Sequence, residues 1–487
     1  MADFILALDQ GTTSSRSILF DRTGRPVRTS SRELRQIYPR PGWVEHDPEE
    51  IWQSQLATMR QVMEDIDPSN VAAVGITNQR ETTILWDRHT GKPLHNAIVW
   101  QCRRTAARCE ELRAKGYEAL VREHTGLVLD AYFSGTKLCW LLDNVPGARE
   151  RAAAGELAFG TVDSWLLWNL TGGAVHATDY SNASRTMLFN ISTLQWDQEM
   201  ISLLDVPSSV LPKARPTVYR FGELHPGFLG APLPVSALVG DQQAALAGHQ
   251  AKEGEAKNTY GTGSFLLLHT GNRLVLSQHG LLTTVAWGRE KSTEYALEGS
   301  TFITGAAVQW LRDGLGIIAN AGESAALAQS VPDTGGVYFV PALAGLGAPY
   351  WDMEARGLIC GISRASTKAH LVRATLEAIA YLTRDVLDVM SQEAGLNLSV
   401  LKVDGGASAN NFLMQFQADI LGIPVRRSAV LEVTALGAAY LASQEVGFWR
   451  EGSLSLSTGA EFRPTMEPER RELLYQGWKR AVARARG

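Results

Sequence analysis

Phe4 to Phe20 reads FILALDQGTTSSRSILF, and the fold turns on this stretch. An apolar run from Phe4 to Leu8 gives way to a polar, glycine-containing turn, and a second apolar run from Ser17 closes at Phe20. Two such runs around a Gly-Thr turn predict strand, tight turn, strand. The pattern returns at Asn258 to His269, NTYGTGSFLLLH, where a hydroxyl-rich Gly-Thr turn again leads into an apolar strand. A repeated unit predicts an internal duplication, with two related α/β halves that each open on a phosphate-sized hairpin. Accidental similarity between two short stretches is the alternative.

Working outward, Val71 to Thr77 and Thr83 to Trp86 read as strands, and Glu49 to Met63 and Arg103 to Lys115 as helices. After the second hairpin come a strand at Val337 to Pro341, a long helix from Thr367 to Glu393 and a strand at Val400 to Val403. Strands alternating with helices imply an α/β architecture. The polar stretch at 247–256 is the expected seam, dividing the chain into domains 1–247 and 248–487. Past Phe448 the chain is charged and is expected to end in a helix packed on the outside.

A chain of 487 residues exceeds one ordinary core, in keeping with two halves. Its 45% hydrophobic and 20% charged residues are those of a soluble globular protein. A net charge of −5 and the lack of a basic run exclude a general nucleic-acid binder, so an anionic ligand must be held by a local site. The N-terminus has no basic leader, and its apolar stretch breaks at Asp9, too early for a signal or membrane helix. A cytoplasmic protein is expected. Cys102, Cys109, Cys139 and Cys360 show no repeated CxxC spacing and read as free thiols.

Phosphate binding needs backbone N–H groups that converge at a turn of glycine and small hydroxyl residues. Gly11 to Arg16 supplies such a turn and a cation, and Asp9 just before it is placed to hold Mg2+. A plain hairpin with a surface arginine would read the same. No GxxxxGK[ST] occurs, so this is not a P-loop protein. Val403 to Asn410 (VDGGASAN) follows a β-branched strand and opens a helix, a geometry that brings a ligand close to backbone and to a helix N-terminus. A tight turn with Ser408 as an ordinary cap is the alternative. In Val239 to Ala245 (VGDQQAA), Asp241 stands at another strand-to-helix junction, as a cap or as a general base. Asn78 to Glu81 (NQRE) sets opposite charges side by side between two strands, on a surface merely a solvated loop. Trp100, Tyr132 and Phe265 lie near these motifs in sequence, but composition alone does not select them.

In order along the chain, these segments resemble the FGGY carbohydrate kinases of the actin, hexokinase and heat-shock ATPase superfamily. The likeness runs through LALDQGTTSSR, GITNQRETT, IVWQCRRTA, GDQQAALAG, YGTGSF, VDGGASANNFLMQFQADILG and VTALGAAY, and is nearest to members that act on glycerol. Residues 133–144 and 357–377 also resemble the family's signatures. The resemblance implies two RNase H-like (actin-like ATPase) domains with the active site in the cleft between them. It further implies ATP-dependent phosphorylation of glycerol to sn-glycerol 3-phosphate, with Mg2+, by a cytoplasmic homodimer or homotetramer that uses neither nucleic acid nor membrane.

Carried over residue by residue, the resemblance makes Thr12, Thr13, Ser14 and Arg16 the holders of the ATP phosphates, with Asp9 at the metal. Thr262 contacts the β/γ region, Gly305 and Gln309 lie along the nucleotide, and Gly406 and Asn410 border the adenosine. Arg80, Glu81, Tyr132, Asp241 and Gln242 hydrogen-bond the glycerol hydroxyls, Trp100 and Phe265 pack on its carbon edge, and Asp241 is the general base. A kinase for a ketopentose or larger polyol is the nearest rival, and NQRE with GDQQ favours the small triol. A non-catalytic, chaperone-like or filament-forming ATPase would have no use for that constellation. One departure concerns control: some relatives bind an inhibitory sugar bisphosphate through a glycine-rich loop with an arginine before GDQQ, and here Pro232 stands at that place. His225 lies nearby, but its surroundings match no phosphorylation site of the family.

Overall fold

The computed structural model describes residues 2–449, 454 and 458–487. The opening stretch forms the antiparallel strands β1 (Phe4–Gln10) and β2 (Ser14–Asp21), followed by β3 (Pro26–Glu33). Helix α1 (Pro48–Val62) starts behind Asp47, whose side chain accepts from the Glu49 amide, with proline in its first turn. It leads to β4 (Val71–Asn78), which pairs in parallel with the other side of β1. After a long insertion come β5 (Val218–Glu223), β6 (Pro234–Gly240) and α2 (Asp241–Gly248). The sheet order is β5-β6-β4-β1-β2-β3.

Past Gly248 the chain enters a second sheet. Its elements are β7 (Ala256–Tyr260), β8 (Ser264–Gly271), β9 (Leu282–Arg289), β10 (Ser292–Thr301) and the short helix α3 (Gly305–Gln309). Then follow α4 (Lys368–Ala394), β11 (Leu401–Asp404), α5 (Asn411–Leu421), β12 (Val425–Ser428), α6 (Val433–Val446), β13 (Thr458–Phe462) and α7 (Pro468–Arg486). The order β9-β10-β8-β7-β11-β12-β13 repeats the first sheet strand for strand and sense for sense, with β9 added at one edge. The duplication expected from the two hairpins is therefore written in the topology.

Each sheet buries its central strands. Leu6, Leu8 and Ile76 pack against Ile51 and Met59 of α1, and in the second half Leu266 and Val403 pack with Ile379 of α4 and Leu413 of α5. The halves are not independent. Ala435, Leu436 and Ala439 of α6 pack on Ile5, Ala7 and Ile18 of the first sheet. Helix α6 also crosses α2 at backbone contact: a methyl group on Gly437 would lie 1.8 Å from the Ala244 carbonyl, and one on Gly248 2.1 Å from that of Val433. This contact fixes the start of α2, and so Asp241, against both halves.

Some local expectations shift. The helix expected from Arg103 begins at Ala106. Helix α7 packs outside as expected, with Trp478 stacked 5.3 Å from Tyr381 of α4. All four cysteines are free, and no helix among the described residues is long and apolar enough to cross a membrane.

Candidate active site

The two hairpins end in matching turns. Gln10 faces Ser15 across the first, which is closed by Gly11 N–H donating to Ser14 O (2.9 Å). Tyr260 faces Ser264 across the second, one residue tighter, where Gly261 N–H donates to Gly263 O (2.8 Å). Thr12 is pinned from two sides: Gln36 Nε2 donates to its carbonyl and Trp100 Nε1 to its hydroxyl, both at 2.9 Å. Thr13 and Ser14 lie on the open rim of that turn. Arg16 donates to Glu432, just ahead of α6, at 2.8 Å.

Between the hairpins lies a buried ionic cluster. The stretch Asn78 to Glu81 is no solvated loop: all four side chains are at most 2% exposed. Continuing from the end of β4 beside β6, it is brought under the start of α2, and Arg80 Nε lies 3.5 Å from both Glu81 Oε1 and Asp241 Oδ1. The rest of the Arg80 fork donates to Glu298 of β10 (2.5 and 2.8 Å), to Tyr132 OH (3.1 Å) and to Gln243 Oε1 (3.3 Å). Arg185 closes the ring, with Nε donating to Glu81 Oε1 (2.7 Å) and a terminal nitrogen to Glu298 Oε1 (3.0 Å). The helix at Ser134–Asn144 locks the neighbouring backbone, since Ser134 Oγ and Lys137 Nζ both donate to the Glu81 carbonyl.

An aromatic corner covers this cluster. Trp100 meets Tyr132 edge-on at 5.5 Å and Phe265, at the start of β8, at 6.2 Å. The three aromatic residues that composition could not select thus gather beside Arg80, Glu81 and Asp241. Gln242 joins them through its side-chain oxygen, which accepts from Lys257.

Burial sets the electrostatics. Asp9 is pushed up to about 7 by burial, against the pull of Arg16, with Asp241 and Glu432 pushing further. Among the described residues no donor bonds to its carboxylate. Asp241 is raised by burial and by Glu81, with Arg80 opposing. Burial would raise Glu298 as well, but Arg185 and Arg80 outweigh it and hold it near about 2. Lys257 is brought down to about 8 by burial, although Asp404, Asp241 and Glu298 favour its charge.

The remaining predicted residues line the second hairpin. Thr262 is exposed at its tip, and α3 is braced on it, Gly305 N–H donating to Gly261 O at 3.0 Å. Gln309 is exposed at the end of α3. Gly405, at φ 85°, lies against the Tyr260 backbone, and Gly406 is open. The cap there is not Ser408. A short 3-10 turn, Gly406–Ala409, intervenes, and Asn410 accepts from Leu413 N–H (3.0 Å) while Ser408 Oγ donates to Gly405 O (2.7 Å). Likewise the residue capping α2 is Gly240, which leaves Asp241 in the first turn, one oxygen accepting from Gln242 N–H at 2.7 Å. Pro232 and His225 are exposed in the β5–β6 connection.

Sequence reading missed Glu298, Arg185 and Lys257. The available signal was a lone carboxylate inside an apolar strand, YALEGST, since such a charge stays buried only when paired.

Duplicated sheets with paired hairpins, and a buried polar cluster beside an aromatic corner, are the plan of a sugar or polyol kinase. The chain belongs to the FGGY family of carbohydrate kinases: the family's N-terminal domain matches residues 4–248 and its C-terminal domain residues 256–445. Its relatives carry a more particular name. The glycerol kinase of Caldanaerobacter subterraneus subsp. tengcongensis is 60% identical over 491 residues, covering 100% of this chain and 99% of the relative. That of Symbiobacterium thermophilum is 61% identical over 492 residues, covering 99% and 98%. The crystal structure of Plasmodium falciparum glycerol kinase with ADP superposes with a TM-score of 0.95 at 37% identity, covering 99% of this chain and 98% of that one. The xylulose kinase of Lactobacillus acidophilus, at 22% identity and a TM-score of 0.89 over 99% and 98%, shares the fold.

Proposed function

We propose that this protein transfers the γ-phosphoryl group of ATP to a terminal hydroxyl of glycerol, giving sn-glycerol 3-phosphate. The observation that carries the reading is the Arg80, Glu81, Tyr132 and Asp241 cluster under the Trp100–Phe265 corner, set between two phosphate-type hairpins. A triol presents three donors, three acceptors and a small apolar face, and this pocket offers partners for each. A pocket built to bond every hydroxyl rejects deoxy analogues strongly, because they leave buried groups unpaired.

The Thr12 to Arg16 turn and Thr262 hold the phosphates, Gly305 and Gln309 flank the nucleotide, and Gly406 and Asn410 border the adenosine. Asp241, with its carboxylate at the pocket and its proton affinity raised by burial, takes the proton of the attacking hydroxyl. Its neighbours Arg80 and Gln242 orient that hydroxyl in line with the phosphate. Transfer through a loose transition state makes this positioning the main contribution. The carboxylate of Asp9, which accepts no hydrogen bond among the described residues, fits Mg2+, which takes one or two carboxylates, keeps much of its water and would neutralise charge on the transferring phosphates. Movement of the halves about α2 and α6 would exclude water from the reacting phosphate. The same reading makes the enzyme cytoplasmic and a homodimer or homotetramer, and Pro232 removes the cation a bisphosphate inhibitor would need.

The test is ADP formation by the purified protein with glycerol, propanediols, xylulose and other polyols. Glycerol should give the highest kcat/KM by a wide margin, and Asp241→Asn should lower kcat by about 100- to 10000-fold while glycerol still binds. Preference for a ketopentose, or ATP hydrolysis indifferent to polyol, would overturn the assignment.

A further inference from the structure

Glu298 belongs to the second sheet, yet both of its oxygens serve arginines of the first half: Oε2 accepts from Arg80 (2.5 Å), and Oε1 from Arg80 (2.8 Å) and Arg185 (3.0 Å). Its strand partners are Leu267 and Leu282, and it is 1% exposed. A carboxylate among such neighbours is costly unless paired, so a residue kept for packing alone would be apolar here. The consequence for Arg80 is geometric. Both terminal nitrogens of its guanidinium are committed, each to a Glu298 oxygen and to one of Gln243 and Tyr132. Among the described residues, Nε–H is the donor of that fork without a hydrogen bond, and it faces the gap between Glu81 and Asp241, 3.5 Å from each.

We propose that Glu298 is a positioning residue for the polyol: by clamping the far edge of Arg80 it turns the Nε edge toward the substrate hydroxyl and keeps the guanidinium from collapsing onto Asp241. Because the clamp spans the two sheets, Arg80 is aimed only when the sheets stand in register, which couples polyol recognition to closure of the cleft. This inference rests on the polyol-kinase reading and deepens it.

Glu298→Gln keeps the shape and removes the charge. It should raise the KM for glycerol by about 10- to 100-fold, the worth of a hydrogen bond to a charged group. The KM for ATP should stay within about threefold, since the clamp acts at the polyol end of the site, whereas kcat should fall as the glycerol KM rises, because a guanidinium released toward Asp241 no longer holds the hydroxyl in line. Glu298→Asp, which retains the charge one methylene short, should fall between wild type and Glu298→Gln. An unchanged glycerol KM, or equal rises in both KM values, would overturn the proposal in favour of a purely structural ion pair. Should Glu298→Gln fail to melt as a folded protein, Glu298→Asp carries the same test with the same two outcomes. If the wild type itself forms no ADP in response to polyol, the proposed function fails instead, so the two failures are distinguishable.

Discussion

The two hairpins are built on one plan, yet their carboxylates sit on different strands and meet opposite fates. In the first half Asp9 lies on β1, opposite Arg16 of β2 and Thr77 of β4. In the second, the matching position on β7 is Thr259, and the carboxylate has moved to Asp404 on the neighbouring strand β11. Both groups are buried. Burial pushes Asp9 up to about 7, whereas His249, bonded to Asp404 at 2.7 Å, and Lys257 outweigh burial and hold Asp404 below the usual carboxylate range. A duplicated frame therefore supplies one carboxylate neutralised from within and one left for a cation from outside. Under the proposed function, the first half supplies the metal carboxylate and the general base, while the second supports the nucleotide and its phosphates through Thr262.

Exchange of each carboxylate for its amide breaks that contrast most directly. Asp9→Asn should cost turnover about 100- to 10000-fold, as expected when preorganised charge stabilisation is removed from a phosphoryl-transfer site. Its fold should be unharmed, because among the described residues no donor depends on Asp9. Asp404→Asn should show the reverse, retaining kcat within an order of magnitude but losing about 3–5 kcal/mol of stability, since His249 and Lys257 then lose a buried partner. Steady-state kinetics and urea denaturation on both variants decide the matter. Equal losses of rate would mean that the halves share the chemistry.

The same contrast predicts opposite responses to pH. Asp9 has a native proton affinity above its unfolded one, so the folded protein holds the extra proton between 3.8 and about 7, and stability falls as pH rises through that window. Asp404 has a lowered native value, so its contribution is present above the unfolded value of 3.8 and disappears only as pH falls below it. Melting without nucleotide or divalent cation should therefore show Asp9→Asn gaining on wild type from pH 4 to 7, by about 4 kcal/mol at most at 1.4 kcal/mol per pKa unit, then levelling off. A gap independent of pH would show that Asp9 is not strained by burial.

How much of this was legible in the sequence follows the range of the interaction. The hairpins could be read because a Gly-Thr turn between apolar runs is a local signal, and their repetition announced the duplication that the two sheet orders share. The same holds for the long helix α4, foreseen to within a residue at each end. What joins distant segments was not readable. Nothing local distinguishes Arg80 in a solvated loop from Arg80 clamped by a glutamate 218 positions away. Nor does spacing reveal that Trp100, Tyr132 and Phe265 converge, a fact supplied in advance only by resemblance. The alternative of Ser408 as cap of α5 gives way to Asn410, another good cap, and the choice rests on the Gly405 turn, in positive φ against Tyr260.

That turn allows the finest probe of the second half. A methyl group on Gly405 would lie 2.4 Å from the Tyr260 carbonyl at a backbone angle hostile to side chains, so its replacement reports folding damage alone. Gly406 is different: nothing lies within 4 Å of a methyl placed there, so the empty protein should accept alanine. If Gly406 borders the adenosine, the methyl meets the nucleotide instead of the protein. Gly406→Ala should then raise the KM for ATP about fivefold, near 1 kcal/mol for mild crowding that a loop partly relieves. The KM for glycerol and the melting temperature should not move, because neither the Arg80 cluster nor the core touches this residue. An unchanged KM for ATP would take Gly406 out of the nucleotide site, and a matching rise for glycerol would mean that the turn acts on closure of the cleft instead of on adenosine.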